Sequence, residues 1–121
     1  MCLSKITKIT APLNGTGFRV LTAEGDNLWY PRNKHIKEYD VVKRNKNPIK
    51  IPVDGSKGEY YPAGIHVFRT LEGLLGWLGT TDIMFRQIWR ADYYELLAQG
   101  EQDSVEILVV DNVQYKDLLC V

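Results

Sequence analysis

The chain is poor in cysteine, has no long apolar run and carries no excess of charge. Its two cysteines, Cys2 and Cys120, stand near opposite ends of 121 residues. Neither has CxxC spacing or further thiols with which to build a zinc set or a disulfide framework. Reduced thiols are the expectation for a reducing compartment, while a bridge between the termini stays open because chain ends often lie close together. No stretch approaches the roughly 18 consecutive apolar residues that a membrane helix needs, and the opening MCLSKITKIT lacks the hydrophobic core of a secretory signal. The expectation is an intracellular, cytoplasmic protein without membrane contact.

Fifteen Lys+Arg against fifteen Asp+Glu give a formal net charge of zero. That excludes coating DNA through overall basicity, and equally an acidic mimic of DNA. The zero conceals an asymmetry. Residues 1–50 carry ten Lys+Arg and four Asp+Glu, a net +6, whereas residues 51–121 carry five and eleven, a net −6. If the fold keeps these halves apart, the chain has one basic and one acidic surface, suited to oriented docking or to a homo-oligomer built head to tail.

What is present is enough for one domain, residues 1–121. A 45% hydrophobic composition at this length supports a core without disulfides or metals. Gly17 to Thr22 reads as a strand, and the Glu24-Gly25-Asp26-Asn27 turn predicts a hairpin with Leu28-Trp29-Tyr30, ended by Pro31. Tyr39 to Val42 fits a short edge strand, Ile49 to Val53 a proline-bearing one, and Asp54 to Gly58 a turn with glycine at positive φ. Gly64 to Phe68 is a β-branched and aromatic strand. After it, Leu71, Leu74, Leu75 and Leu78 form an apolar stripe at helical spacing, with Thr70 as N-cap. Gly73, Gly76 and Gly79 weaken that helix and predict a small face that a neighbouring backbone can approach.

Ile83 to Tyr94 fits both templates, since helical spacing would align Trp89, Tyr93, Leu96 and Leu97; aromatic and β-branched content favours a strand to about Tyr93. The polar Gln99 to Ser104 then reads as a connection. Val105 to Val110 is the clearest strand, turned or bulged at Asp111-Asn112 and continued by Val113 to Leu119. The fold class is α+β, a mostly antiparallel sheet of six to eight short strands with one or two helices.

Candidate chemistry is sparse. Glu106 sits among alternating apolar positions, as an exposed strand residue or as a carboxylate that stabilises developing positive charge. His66 lies in an apolar strand, as a satisfied core histidine or as a ligand and proton-transfer group. With His35 as the second histidine, no metal site is expected. Trp29, Tyr30, Tyr60 and Tyr61 are core aromatics, or, if exposed beside Arg32, Lys34, Lys37, Lys43 and Arg44, a platform that stacks bases while the cations contact phosphates. The same basic segment reads equally as a solvated face. No Ser-His-Asp or Cys-His arrangement follows from spacing.

The Met1-Cys2-Leu3 start, Gly17-Phe18-Arg19-Val20, the run from Tyr60 to Phe68 with Thr70-Leu71-Glu72, and Ala98-Gln99-Gly100-Glu101-Gln102 resemble a group of small uncharacterised proteins common in phages and prophages. That resemblance implies a phage origin and carries no activity of its own; with the small size, the absence of a catalytic triad and the polarised charge, it leads to the expectation of a protein in a bacterial host cell that binds and inhibits a host protein or nucleoprotein complex, such as a defence system, without catalysis or cofactor. Arg19 on an early strand, the Gly64-to-Phe68 strand leading into a helix, and Glu106 in a late strand also resemble the mono-ADP-ribosyltransferase fold, which implies an NAD enzyme using Arg19, His66 and Glu106. His66 stands where that family has Ser-Thr-Ser or Tyr. A nucleic-acid module through residues 32–50 is the third expectation.

Overall fold

A computed structural model describes residues 3–22, 36–44, 50–55, 58–79 and 86–120. Its longest elements are two strands, β7 (Arg86–Gln102) and β8 (Val105–Cys120). They are joined by Asp103 and Ser104, both at positive φ (51° and 65°), a backbone twist that matches the twist of the flanking strands. The expected connection at Gln99 to Ser104 is therefore mostly strand. Gln99 pairs with Leu108 and Glu101 with Glu106, so cross-strand partners rather than residue polarity decide where the strand ends. The expectation of uniformly short strands fails at this hairpin for the same reason.

Register shifts between Ile88 and Trp89, between Arg90 and Ala91, and between Leu96 and Ala98 break the hairpin ladder, and irregularities of this kind bend and twist a strand. The bent β7 pairs on its other side with β2 (Gly15–Thr22) and, near its end, with β1 (Lys5–Ile6). Strand β6 (Ile65–Phe68) lies between β2 and β8, and β3 (Val41–Lys43) is the edge beyond β8. Because β7 also pairs with β8, the sheet closes through β7, β2, β6 and β8. All these pairings are antiparallel. A separate ribbon pairs β4 (Lys50–Pro52) with β5 (Tyr60–Pro62), and the turn between them holds Gly55 at φ 77°.

Closure gives the chain two cores. Outside, helix α1 (Leu71–Leu78) and the ribbon cover Val20, Phe68, Ile88, Ile107 and Val109. On the opposite, inner face Leu21, Val67, Trp89, Ala91, Leu108 and Tyr115 are buried together. Thr70 caps α1, its hydroxyl accepting from the Gly73 N–H at 3.0 Å. The helix buries Leu74, Trp77 and Leu78, and Trp77 packs on Phe68 with ring centroids 5.4 Å apart. The leucine stripe is thus corrected at Leu75, which is 50% exposed; Trp77, the penultimate residue of the helix, supplies the larger apolar surface and turns the face toward itself.

The small glycine face holds only in part: a Cβ at Gly73 would lie 3.1 Å from Val105 Cγ1, a side chain rather than a backbone, whereas one at Gly76 would meet nothing within 4 Å. Gly76→Ala should therefore raise stability by about 0.5–1 kcal/mol, read as a higher urea midpoint at unchanged slope; a lower midpoint would contradict an open helix surface here.

The predicted partner strand at residues 28–30 and Cys2 lie outside the described residues. The expected strands at Tyr39 to Val42 and Ile49 to Val53 correspond to β3 and β4. Separation of the basic and acidic halves does not hold among the described residues. Strand β2 of the first half lies between β7 and β6 of the second, and β3 pairs with β8, because neighbours in the sheet are not neighbours in sequence. No helix of the described residues is long and apolar enough to cross a membrane.

Candidate functional site

The residues of the enzyme reading sit on two faces of the sheet. Arg19 is paired with the buried Trp89 on the inner face, between Gly17 and Leu21, and is only 4% exposed. Glu106 is two residues from Leu108 and shares that inner face. His66 pairs with Val109 and belongs to the outer core beside Tyr61. Residues directly opposite one another in an antiparallel ladder share a face, so the side chain of His66 points away from the side to which Arg19 and Glu106 point. The expectation that the three converge on one ligand is not met.

Each of the latter two is accounted for locally. One Glu106 carboxylate oxygen accepts from Arg69 Nη1 at 2.6 Å and from Gln99 Nε2 at 2.7 Å. The Gln99 carbonyl oxygen accepts the backbone N–H groups of Thr10 and Ala11 at 2.9 and 3.1 Å, and Arg69 also donates to the Thr10 hydroxyl. Glu106 thereby helps fasten the segment around Thr10 to the sheet. Burial, together with nearby positive charge that includes Arg19, pushes His66 down to about 3, and a hydrogen bond to the Gly64 backbone opposes the shift. The ring is neutral at ordinary pH. His66 Nε2 lies 3.3 Å from the Tyr61 hydroxyl oxygen, and a ring protonated on the side of Gly64 accepts from that hydroxyl, which itself accepts the Leu3 N–H at 3.0 Å.

The stacking and phosphate-contact residues divide as well. Tyr61 is 2% exposed and belongs to the core, a correction to its place in a surface platform; Tyr60, the next residue along the strand, is exposed at 56%. Arg44 is corrected too. Its Nε donates to Asp111 at 2.6 Å and its Nη1 to the Ala63 carbonyl at 3.3 Å, so a phosphate would have to compete with a carboxylate. The Asn112 amide first, and Arg44 with it, holds the Asp111 carboxyl below its ordinary range. Lys37 and Lys43 are exposed. Trp29, Tyr30, Arg32 and Lys34 lie outside the described residues. No cluster of His, Cys, Asp and Glu among the described residues is arranged to hold a metal ion.

What the sequence reading missed is an open groove of about 450 Å³ across β2, β7 and β8, lined by Thr16, Tyr39, Arg90, Asp92, Lys116 and Asp117. Arg90 pairs with Asp117 across the hairpin. Asp92 accepts from the Thr16 hydroxyl at 3.1 Å and faces the Lys116 ammonium at 3.8 Å. Lys116 also lies 5.4 Å from the centre of the Tyr39 ring, within cation–π range. Tyr39 is held at φ 69°, a left-handed conformation uncommon for an aromatic residue, by its N–H donating to the Tyr115 carbonyl at 2.6 Å. On the same face Val41, which pairs with Gln114 across from Asp92, is exposed. A signal was available in the charged residues at alternate positions, Arg90 and Asp92, and in the Lys116-Asp117 pair, within segments otherwise rich in apolar residues.

Compared with protein-family models, with curated proteins and with solved structures, the chain matches none.

Proposed function

We propose that the chain is a non-catalytic binding protein of the phage type it resembles, which docks on a host protein and inhibits it through the Tyr39 groove. The observation that carries this reading is the groove itself. An exposed, backbone-constrained tyrosine, an arginine and a lysine surround two carboxylates, with apolar Val41 exposed on the same face. Tyrosine and arginine are the residue types that concentrate binding energy at protein interfaces, and a rigid ring loses little entropy on docking. Alternating charge gives such a surface orientation and partner selectivity rather than bulk attraction.

An ADP-ribosyltransferase-like core with NAD as cofactor would need Arg19, His66 and Glu106 to address one dinucleotide, and their division between two faces favours binding over that chemistry. The nucleic-acid reading loses Arg44 to Asp111 and Tyr61 to the core. The test is affinity capture from a bacterial lysate with the wild type and with the charge-exchange variant Arg90→Asp/Asp117→Arg, which keeps the cross-strand ion pair while inverting the layout of the surface. A stoichiometric protein partner should be recovered by the wild type, with recovery reduced at least tenfold by the exchange. Equal recovery, or recovery of nucleic acid alone, would remove this reading.

A further inference from the structure

We propose that Arg19 anchors an anion site inside the closed sheet, one that takes a small oxyanion, a carboxylate or phosphate group, between β2, β7 and β8. Arg19 is 4% exposed, and an arginine keeps its charge even in a protein interior. Its Nε makes no hydrogen bond, and it enters none of the ion pairs formed among the described residues. Glu106, a carboxylate on the same face, is already engaged by Arg69 and Gln99.

The charge is felt by its neighbours. It pulls against the burial that raises the Tyr115 hydroxyl, and it adds to the lowering of His66. The Trp89 and Tyr115 rings, edge to face at 5.6 Å, belong to the apolar surroundings in which a bare cation is costly and a bound anion correspondingly favoured. The guanidinium fork matches two oxygens of one acceptor. Arg19 lines no part of the Tyr39 groove and His66 points to the other face, so the inference rests neither on the enzyme reading nor on the docking groove.

The test is thermal unfolding of the full chain in inorganic phosphate or in acetate, with chloride holding ionic strength constant, for the wild type and for Arg19→Met. The wild type should gain about 10 °C, saturably, at an anion concentration a hundredfold above the dissociation constant. Arg19→Met should show no such gain, and should be at least as stable as the wild type without anion because a buried charge has been removed. A response to phosphate alone identifies a phosphate-bearing ligand, and a response to acetate alone identifies a carboxylate. Equal responses of the two proteins, or none in either, would overturn the site. So would a marked loss of stability in anion-free Arg19→Met, failure to fold included, since it would mean that the chain already neutralises this charge itself.

Discussion

The stability of the fold should fall as pH is lowered from about 6.5 toward 3, at roughly 1.4 kcal/mol per pH unit from His66 alone. The folded ring stays neutral down to about 3 because it is buried among apolar neighbours and near positive charge, whereas the unfolded ring takes a proton from its ordinary value of 6.5 downward. In that window the unfolded state binds one more proton than the native state, so stability rises with pH. The contribution is complete above 6.5 and has lost about 3 kcal/mol by pH 4. His66→Gln keeps an acceptor for the Tyr61 hydroxyl but does not titrate, and it should flatten this part of the profile in urea unfolding measured pH by pH. An unchanged slope in the variant would show that the loss belongs to other groups. The effect is large because the ring is 8% exposed and sits where β5, β6 and the Leu3 segment meet.

The second large effect is expected at Gly17. A Cβ there would lie 2.1 Å from the Val67 Cγ1 and 3.0 Å from the Phe68 carbonyl oxygen. Both contacts are on β6, whose ladder with β2 consists of the single register pair Phe18 with Phe68. Val67 is fully buried and cannot swing clear into solvent. Gly17→Ala should destabilise the protein by about 3 kcal/mol through overpacking at the narrowest seam of the closure. Val67→Ala removes the side chain in the way, so the double variant Gly17→Ala/Val67→Ala should lose less than the sum of the single losses, with a coupling of about 1–2 kcal/mol by double-mutant cycle. Additive losses would mean that β2 and β6 do not approach closely at this point.

Much of the architecture was legible wherever local chemistry and tertiary demand agree. Thr70 caps the helix because its hydroxyl serves an amide that the helix cannot satisfy. Strand β6 (Ile65–Phe68), within the expected Gly64 to Phe68, is buried on both faces, which is why its sequence reads as continuous rather than alternating. Polarity misled at Gln99 to Gln102, because Gln99 is a buried polar residue whose amide binds backbone N–H groups of a segment nearly 90 residues away, a partner that no local window contains. Leu75 looked like core because four leucines complete a stripe, yet the tertiary partner Phe68 lies toward Trp77.

The sites were less legible for a related reason. Arg19, His66 and Glu106 were placed on the right strands, but whether side chains converge depends on which face each strand turns inward, and that is set by closure and by the register shifts in the hairpin. The groove joins Thr16, Tyr39, Asp92 and Lys116, whose proximity exists only once β2, β7 and β8 are paired and the turn before β3 is anchored on Tyr115.

Hydrogen exchange on the complex with a captured partner tests the docking surface most directly. Exchange should slow on binding at amides around Thr16, at residues 37–40, and near Arg90, Asp92 and Lys116, with no change around Arg69, Gln99 and Glu106. Protection centred on the Glu106 end of the sheet, with the groove amides unchanged, would contradict docking through the groove.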